Sequence, residues 1–421
     1  MHVCIIGAGA SGLAAAKYLL EKNNKFTCDI FERNEDLGGT WYYTDEVGTD
    51  KYGYSIYASM YKNLRTNLPK EVMGYSCYKF PEQDQSYISQ EEVLEQLKNF
   101  AKQFNLRRLI KFSTMVTAIH SLPNERWSIT STHIPTNAET TQDYDAVIVC
   151  SGHFNEGSYP NIPGRELFKH KQLHSHDYRK PEPYNGKKIL VIGAGPSGLD
   201  ITAILSAHAH YVIISHHANQ PLNIEFPGNV TKKPDVTRIT ENGVEFSDGT
   251  SAELDTIIYC TGYKYRFPFL CSDTKLAVED DVFVTPLYKH IINIEHPTMA
   301  LTGIPSTACS IPMYDLQVRF YVEYLNGSMQ LPSKELMYAD LNADIKKRKE
   351  MGLPKKKWHL MNVDFIWDYY KSLADAAHIE NIWPSIVKLR LAAAKEIGKH
   401  LFEYRKDKYR IVDKENYIKL N

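Results

Sequence analysis

Two six-residue runs, Gly7-Ala8-Gly9-Ala10-Ser11-Gly12 and Gly193-Ala194-Gly195-Pro196-Ser197-Gly198, have residue types and spacing that can do chemistry. Each is a G-x-G-x-x-G run. The first glycine makes a tight turn, the second lets backbone N–H groups approach a pyrophosphate, and the third lets a helix pack closely on a strand. A helix opening on such a turn presents its positive end to the phosphates. Glu32, about 20 residues beyond the first turn, is placed to accept hydrogen bonds from a ribose. The second unit has no acid at the matching place, where Tyr211-Val212-Ile213-Ile214 continues as Ser215-His216-His217. A carboxylate there would repel a 2′-phosphate, whereas serine and histidine can hydrogen-bond it, which favours NADPH over NADH. His216 and His217 as ordinary surface histidines are the competing reading. Two nucleotide units in one chain imply hydride passing from a nicotinamide on the second to a flavin on the first.

These turns need strands and helices to hold them, and the flanking sequence supplies both. The apolar run at residues 2–6 reads as a strand, Leu13 to Leu20 as a helix, and Cys28 to Phe31 as a second strand ending at Glu32. Residues 188–192 repeat the first strand ahead of the second turn. Between the units, Gln90 to Lys102 reads as a helix, Trp127 to Thr130 as a strand, and residues 131–143 as a polar turn. Residues 144–150 and 254–260 are nearly all apolar, as buried parallel strands are, and each is followed by a glycine, Gly152 and Gly262. Thr298 to Gly303 reads as a strand returning to the first unit, and the remainder, including Ile311 to Leu325, is mostly helical in pattern. The expected fold is α/β, with two Rossmann-like dinucleotide-binding domains, the NADP domain inserted in the FAD domain. The expected division is 1–175 for the first FAD-binding segment, 176–291 for the NADP-binding domain, and 292–421 for the second FAD-binding segment with C-terminal helices.

At 421 residues, with 43% hydrophobic and 24% charged residues, the chain suits two folded domains rather than disorder. A formal net charge of -1 gives no global field for nucleic acid, which is not an expected partner. The basic stretches at 346–349 and 355–357 read as solvated surface, with a phosphate-binding face as the alternative. Seven cysteines lie far apart with no C-x-x-C pair, which excludes a dithiol flavin reductase and any cysteine-held metal; no metal site is expected. No window holds the apolar length of a transmembrane helix, so the expectation is a soluble protein without such an anchor. Its location would be cytoplasmic, or secreted if a signal peptide had been removed.

Further motifs resemble the flavin-containing monooxygenase family, in particular its short insect, fungal and bacterial forms, across essentially the whole chain. Leu37-Gly38-Gly39-Thr40-Trp41 is similar to the family's G-G-x-W segment at the FAD site. Residues 61–71 resemble its active-site segment, in which the Asn matching Asn67 sits near the reactive edge of the flavin. Phe168, His174, Ser175 and Tyr178 match the family's identifying motif, while His170 stands where Gly is expected. Cys260-Thr261-Gly262-Tyr263 resembles the segment linking the domains, and residues 315–319, with Gln317, resemble the stretch beside the isoalloxazine ring. Many relatives carry Arg near positions 215–217, where this chain has His, so strict NADPH preference is not implied.

The resemblance implies an FAD enzyme that takes electrons from NADPH and oxygenates soft nucleophiles, above all tertiary amines, through a C4a-hydroperoxyflavin. Asn67 would donate to the oxygenated flavin or position NADP, and no Ser-His-Asp or paired-carboxylate machinery is required. Tyr178, where ketone-directed Baeyer-Villiger relatives usually carry Trp, turns the reading toward nitrogen and sulfur. Insect members include enzymes that N-oxygenate pyrrolizidine alkaloids such as senecionine. The alternatives are a Baeyer-Villiger or sulfide monooxygenase, an NADPH oxidase, or a non-enzymatic flavin-binding redox partner. His174 and Tyr178 read as shaping the domain junction, and Trp41, Tyr57, Tyr61 and Tyr75 as lining the flavin or substrate region. Relatives imply a homodimer or homotetramer.

Overall fold

The computed structural model describes residues 1–217 and 222–420. The chain opens with β1 (His2–Ile6), α1 (Ala10–Leu20), β2 (Thr27–Phe31), α2 (Gln90–Gln103) and β3 (Ile110–Lys111). An antiparallel trio follows, β4 (Thr114–Leu122), β5 (Arg126–His133) and β6 (Ala138–Tyr144), and then β7 (Ala146–Val149). The second unit contains β8 (Lys171–His174), β9 (Lys188–Ile192), α3 (Pro196–Leu205), β10 (Tyr211–Ser215) and β11 (Val230–Lys233). It continues through β12 (Val236–Ile239), β13 (Gly243–Phe246), β14 (Ser251–Glu253) and β15 (Thr256–Tyr259). After the hairpin of β16 (Ala277–Glu279) and β17 (Phe283–Thr285) come β18 (Leu287–Tyr288), β19 (Ile292–Asn293) and β20 (Met299–Leu301). The remainder is α4 (Ser310–Leu325), α5 (Lys334–Glu350), α6 (Ile366–Ala377), α7 (Pro384–Lys399) and the hairpin of β21 (Lys408–Ile411) and β22 (Tyr417–Leu420).

Two sheets carry the architecture. The first has the order β18-β19-β20-β7-β1-β2-β3, and the second, wholly parallel, β11-β10-β9-β15-β8. In both, the strand before the glycine turn is interior to the sheet and covered on both faces, which is why β1 and β9 are apolar almost throughout. The fold is α/β, with helices packed on two largely parallel sheets. By sheet membership the second unit begins at Lys171, and the first sheet is rejoined at Leu287.

α1 is built of small residues, Ala-Ser-Gly-Leu-Ala-Ala-Ala, and is buried nearly all round because it is pressed between the first sheet and α4. α2 starts where it does because Ser89 and Glu92 close a capping box: Glu92 N donates to Ser89 Oγ at 3.3 Å and Ser89 N donates to the Glu92 carboxylate at 2.8 Å.

Residues 131–143 are not the turn expected from their polarity. They belong largely to β5 and β6, and only 134–137 lie between the two strands. Polarity there reflects an edge strand whose residues are exposed up to Tyr144, with Ser131 and Thr140 paired by their hydroxyls across the strands at 3.1 Å. Arg348, read as part of a solvated basic run, is buried, with Nε on Asp344 at 2.8 Å and Nη1 on the Leu360 carbonyl at 2.8 Å. Among the described residues no helix is long and apolar enough to cross a membrane, and no cluster of His, Cys, Asp and Glu could hold a metal ion.

Candidate active site between two nucleotide-binding turns

The two glycine turns have the same construction. Gly7 sits at φ +103° and Gly193 at φ +106°, conformations that L side chains rarely adopt. Each donates its N–H across the sheet, Gly7 to Phe31 O and Gly193 to Ser215 O, both at 2.8 Å. A Cβ on Gly12 would lie 1.9 Å from Gly7 O, and one on Gly198 would lie 1.9 Å from Gly193 O, so each helix can fold back on its turn only with glycine there. The carbonyls of Cys150 and Cys260, at the ends of β7 and β15, close against Gly7 and Gly193.

The first cradle is tight. Gly39 (φ +55°) packs on Gly9, and Gly38 N donates to Ala8 O at 3.0 Å, so the Gly38-Gly39 pair forms one wall of the turn. Thr40 is exposed at its mouth, and Trp41 is half-buried with its carbonyl bonded by the Gln90 amide. Glu32 is buried, its carboxylate accepting from Ala8 N at 2.8 Å and Asn34 N at 2.9 Å. Burial raises its pKa above the usual value, while those N–H donors pull the other way. Ala10 and Ser11 begin α1, and the Ser11 hydroxyl faces inward, 2.5 Å from Thr302 Oγ1, which leaves the outward backbone edge for a ligand.

The second cradle is open. Gly195 and Pro196 are exposed, a Cβ on Gly195 would meet nothing within 4 Å, and Ser197 lies half-buried beside them. Pro196 stands at the first turn of α3, where its missing N–H costs nothing. At the end of β10 the Ser215 hydroxyl donates to Pro234 O at 2.7 Å, His216 Nδ1 lies 3.1 Å from His217 O, and His217 Nδ1 pairs with Asp235 at 3.0 Å. The register sets Lys233 opposite Ser215. Lys233 and Asp235 escaped the sequence reading because only strand pairing brings them to this corner.

Asn67 is exposed and has no protein hydrogen-bond partner among the described residues. Of the aromatics, Tyr75 donates to Ala10 O at 2.8 Å and belongs to the core, Tyr57 stacks on Arg33, and Tyr61 donates to Asp200 of α3. Tyr178 is buried with Tyr61 and Tyr184 against its ring, and His174 is held by Gly157, where a Cβ would collide with the imidazole at 2.4 Å. Burial pushes both His153 and His174 down to about 4, so both are neutral at pH 7. Among the described residues Ser151 Oγ, Asn155 Oδ1 and Tyr178 Oη are buried without a partner, polar atoms that water or a ligand would satisfy. His170 lies exposed outside the positive-φ region, so histidine is sterically admissible where the motif has glycine. Gln317 stands apart: it is fully buried, its Oε1 accepting from Gly303 N at 2.9 Å and its Nε2 donating to Tyr369 Oη at 2.6 Å.

The glycine cradles fit two dinucleotides, and the comparisons agree in kind. The flavin-binding monooxygenase-like family pattern matches residues 1–221 and 218–412. The chain belongs to that family. This monooxygenase is 36% identical over 427 residues to senecionine N-oxygenase of Tyria jacobaeae, covering 99% of this chain and 91% of the relative. It is 35% identical over 403 residues to flavin-containing monooxygenase FMO GS-OX4 of Arabidopsis thaliana, covering 90% and 86%. Its fold superposes on S-allyl-L-cysteine S-oxygenase of Allium sativum with a TM-score of 0.90 at 32% identity, covering 96% and 94%. It is a flavin-dependent monooxygenase using NADPH, and binding of FAD and NADPH is typical of its family.

Proposed function

We propose that this monooxygenase N-oxygenates tertiary amines, with pyrrolizidine alkaloids such as senecionine as the leading substrates. The observation that carries the reading is its likeness, over 99% of its length, to senecionine N-oxygenase. Overall, a tertiary amine, O2, NADPH and H⁺ become the amine N-oxide, H2O and NADP⁺.

Gly7, Gly9, Ala10, Ser11, Gly12, Glu32, Gly39, Thr40 and Trp41 would hold FAD, and Gly193, Gly195, Pro196, Ser197, Gly198, Ser215, His216 and His217 would hold NADPH. When bound, the flavin supplies activation of O2 with electrons from NADPH. The protein's part is then binding, orientation and exclusion of water. Asn67, with its amide uncommitted, donates toward the reacting edge. Gln317, carried over as a position beside the flavin ring, steadies the Gly303 backbone through Oε1 and Tyr369 through one of its two Nε2 N–H groups.

Sulfide oxygenation is the second reading, favoured by the match to an S-oxygenase structure. Turnover of senecionine and of an allyl sulfide with NADPH under ¹⁸O2 separates the two. One labelled oxygen in the alkaloid N-oxide, with one NADPH consumed per product, is the expected result. Sulfoxide alone would move the assignment to sulfur, and NADPH consumption with peroxide as the sole product would refute both.

A further inference from the structure

Asp200 lies early in α3, two residues after the last glycine of the second turn, and its side chain is almost wholly enclosed. One carboxylate oxygen accepts from Tyr61 Oη. The other accepts from Arg405 Nη1 at 2.6 Å. The same guanidinium reaches back into the Asn67 segment, with Nε on Thr66 O at 3.2 Å and Nη2 on Arg65 O at 3.1 Å. Three distant parts of the chain therefore meet on one charge pair: the helix of the second nucleotide turn, the segment before Asn67, and a residue just ahead of the last hairpin.

The carbonyl of Thr66 belongs to the same planar peptide as the N–H of Asn67, so holding one fixes the plane from which Asn67 departs. Arginine can do this because its rigid fork serves a carboxylate and two carbonyls at once, which a lysine ammonium on a flexible stem cannot match. Burial and the neighbouring carboxylate hold the Tyr61 phenol well above its ordinary range, so its proton stays on oxygen and it remains a donor.

We propose that Arg405 and Asp200 form a latch that ties the setting of the second nucleotide unit to the placement of Asn67, with Arg405 as a positioning residue. The proposal rests on the reading of Asn67 and of the second turn given above. A change in the angle of α3 is felt at the Arg65 and Thr66 carbonyls through a single side chain, and the orienting amide is in place only when the two units are seated together.

The test compares Arg405→Lys with the unaltered full-length, FAD-loaded protein by amide hydrogen exchange, and counts NADPH consumed per oxygenated product. Lysine keeps the charge opposite Asp200 but loses the fork. Exchange at Leu64 and Thr66, whose N–H groups bond Tyr61 O and Ile88 O, should rise at least about ten-fold with β1 and β7 unchanged. NADPH consumed per product should rise several-fold. Tyr61→Phe, which removes a single donor, should give the same pattern on a smaller scale and serves if Arg405→Lys folds poorly. Unchanged exchange at 64 and 66, or an equal rise across β1 and β7, would overturn the latch. The local exchange response in a protein that forms no N-oxide would uphold the latch and dismiss the substrate assignment instead.

Discussion

Gly195→Ala separates a glycine that shapes the protein from one that makes room for a ligand. Gly195 has φ -74° and ψ -177°, extended backbone that alanine adopts freely, and its new methyl would meet nothing within 4 Å. The substitution should gain about 0.4–1 kcal/mol from the less flexible unfolded chain and lose about 0.5–1 kcal/mol at the helix cap, where alanine is poorer than glycine. Net stability should therefore stay within about 0.5 kcal/mol of the parent. A pyrophosphate brought against that backbone would be pushed outward by the methyl. Losing one charge-assisted N–H···O bond at about 1.5–3 kcal/mol weakens binding about ten- to a hundred-fold. Calorimetric titration of the FAD-loaded protein with NADP⁺, alongside urea unfolding, reads both quantities. Gly198→Ala is the contrast: its methyl would lie 1.9 Å from Gly193 O, so the turn must open, costing about 1–3 kcal/mol or more of stability. Full-strength NADP⁺ binding by a stable Gly195→Ala protein would refute the idea that a pyrophosphate seats there.

Asn67→Leu alters an exposed side chain with no partner among the described residues, so stability should change by less than about 0.5 kcal/mol. Product per NADPH should fall at least about five-fold, checked by N-oxide yield against NADPH consumption. His153 sits at about 4 in the folded protein against 6.5 ordinarily, so the unfolded chain takes up its proton first. That contribution is complete above pH 6.5 and is lost as pH falls toward 4, by about 2 kcal/mol between pH 7 and pH 5. Urea unfolding of His153→Gln should show a pH loss smaller by that amount, and an unchanged loss would contradict the burial argument.

The nucleotide turns could be read from sequence because each is a local device: a strand, three glycines and a helix lie within one short stretch and carry their own steric reason. Glu32 followed at a fixed distance for the same reason. What escaped was set by pairing or by distance. Lys233 reaches the corner of Ser215 and His217 through strand register, and Arg405 touches Thr66 across 339 positions of chain. The 131–143 error came from equating polarity with a turn, when an exposed edge strand is equally polar. Gln317 is suggested by resemblance alone, and its bonds to Gly303 N and Tyr369 Oη join positions 14 and 52 residues away that no local pattern links.

The path of the chain between the two sheets has a practical consequence. It leaves the first sheet after β7 and comes back into it at β18, so the second unit is sewn in by two separate strands of polypeptide. A protease cutting at either crossing would leave the halves covalently joined, and a second cut at the other would be needed to free them. Two tethers also restrict rocking of one half on the other largely to the line joining them, as a door hung on a pair of pins. Grafting the second unit from a relative accordingly means matching two seams at once, and a chimera crossed at only one would set the returning strands β18 to β20 against the other parent's sheet.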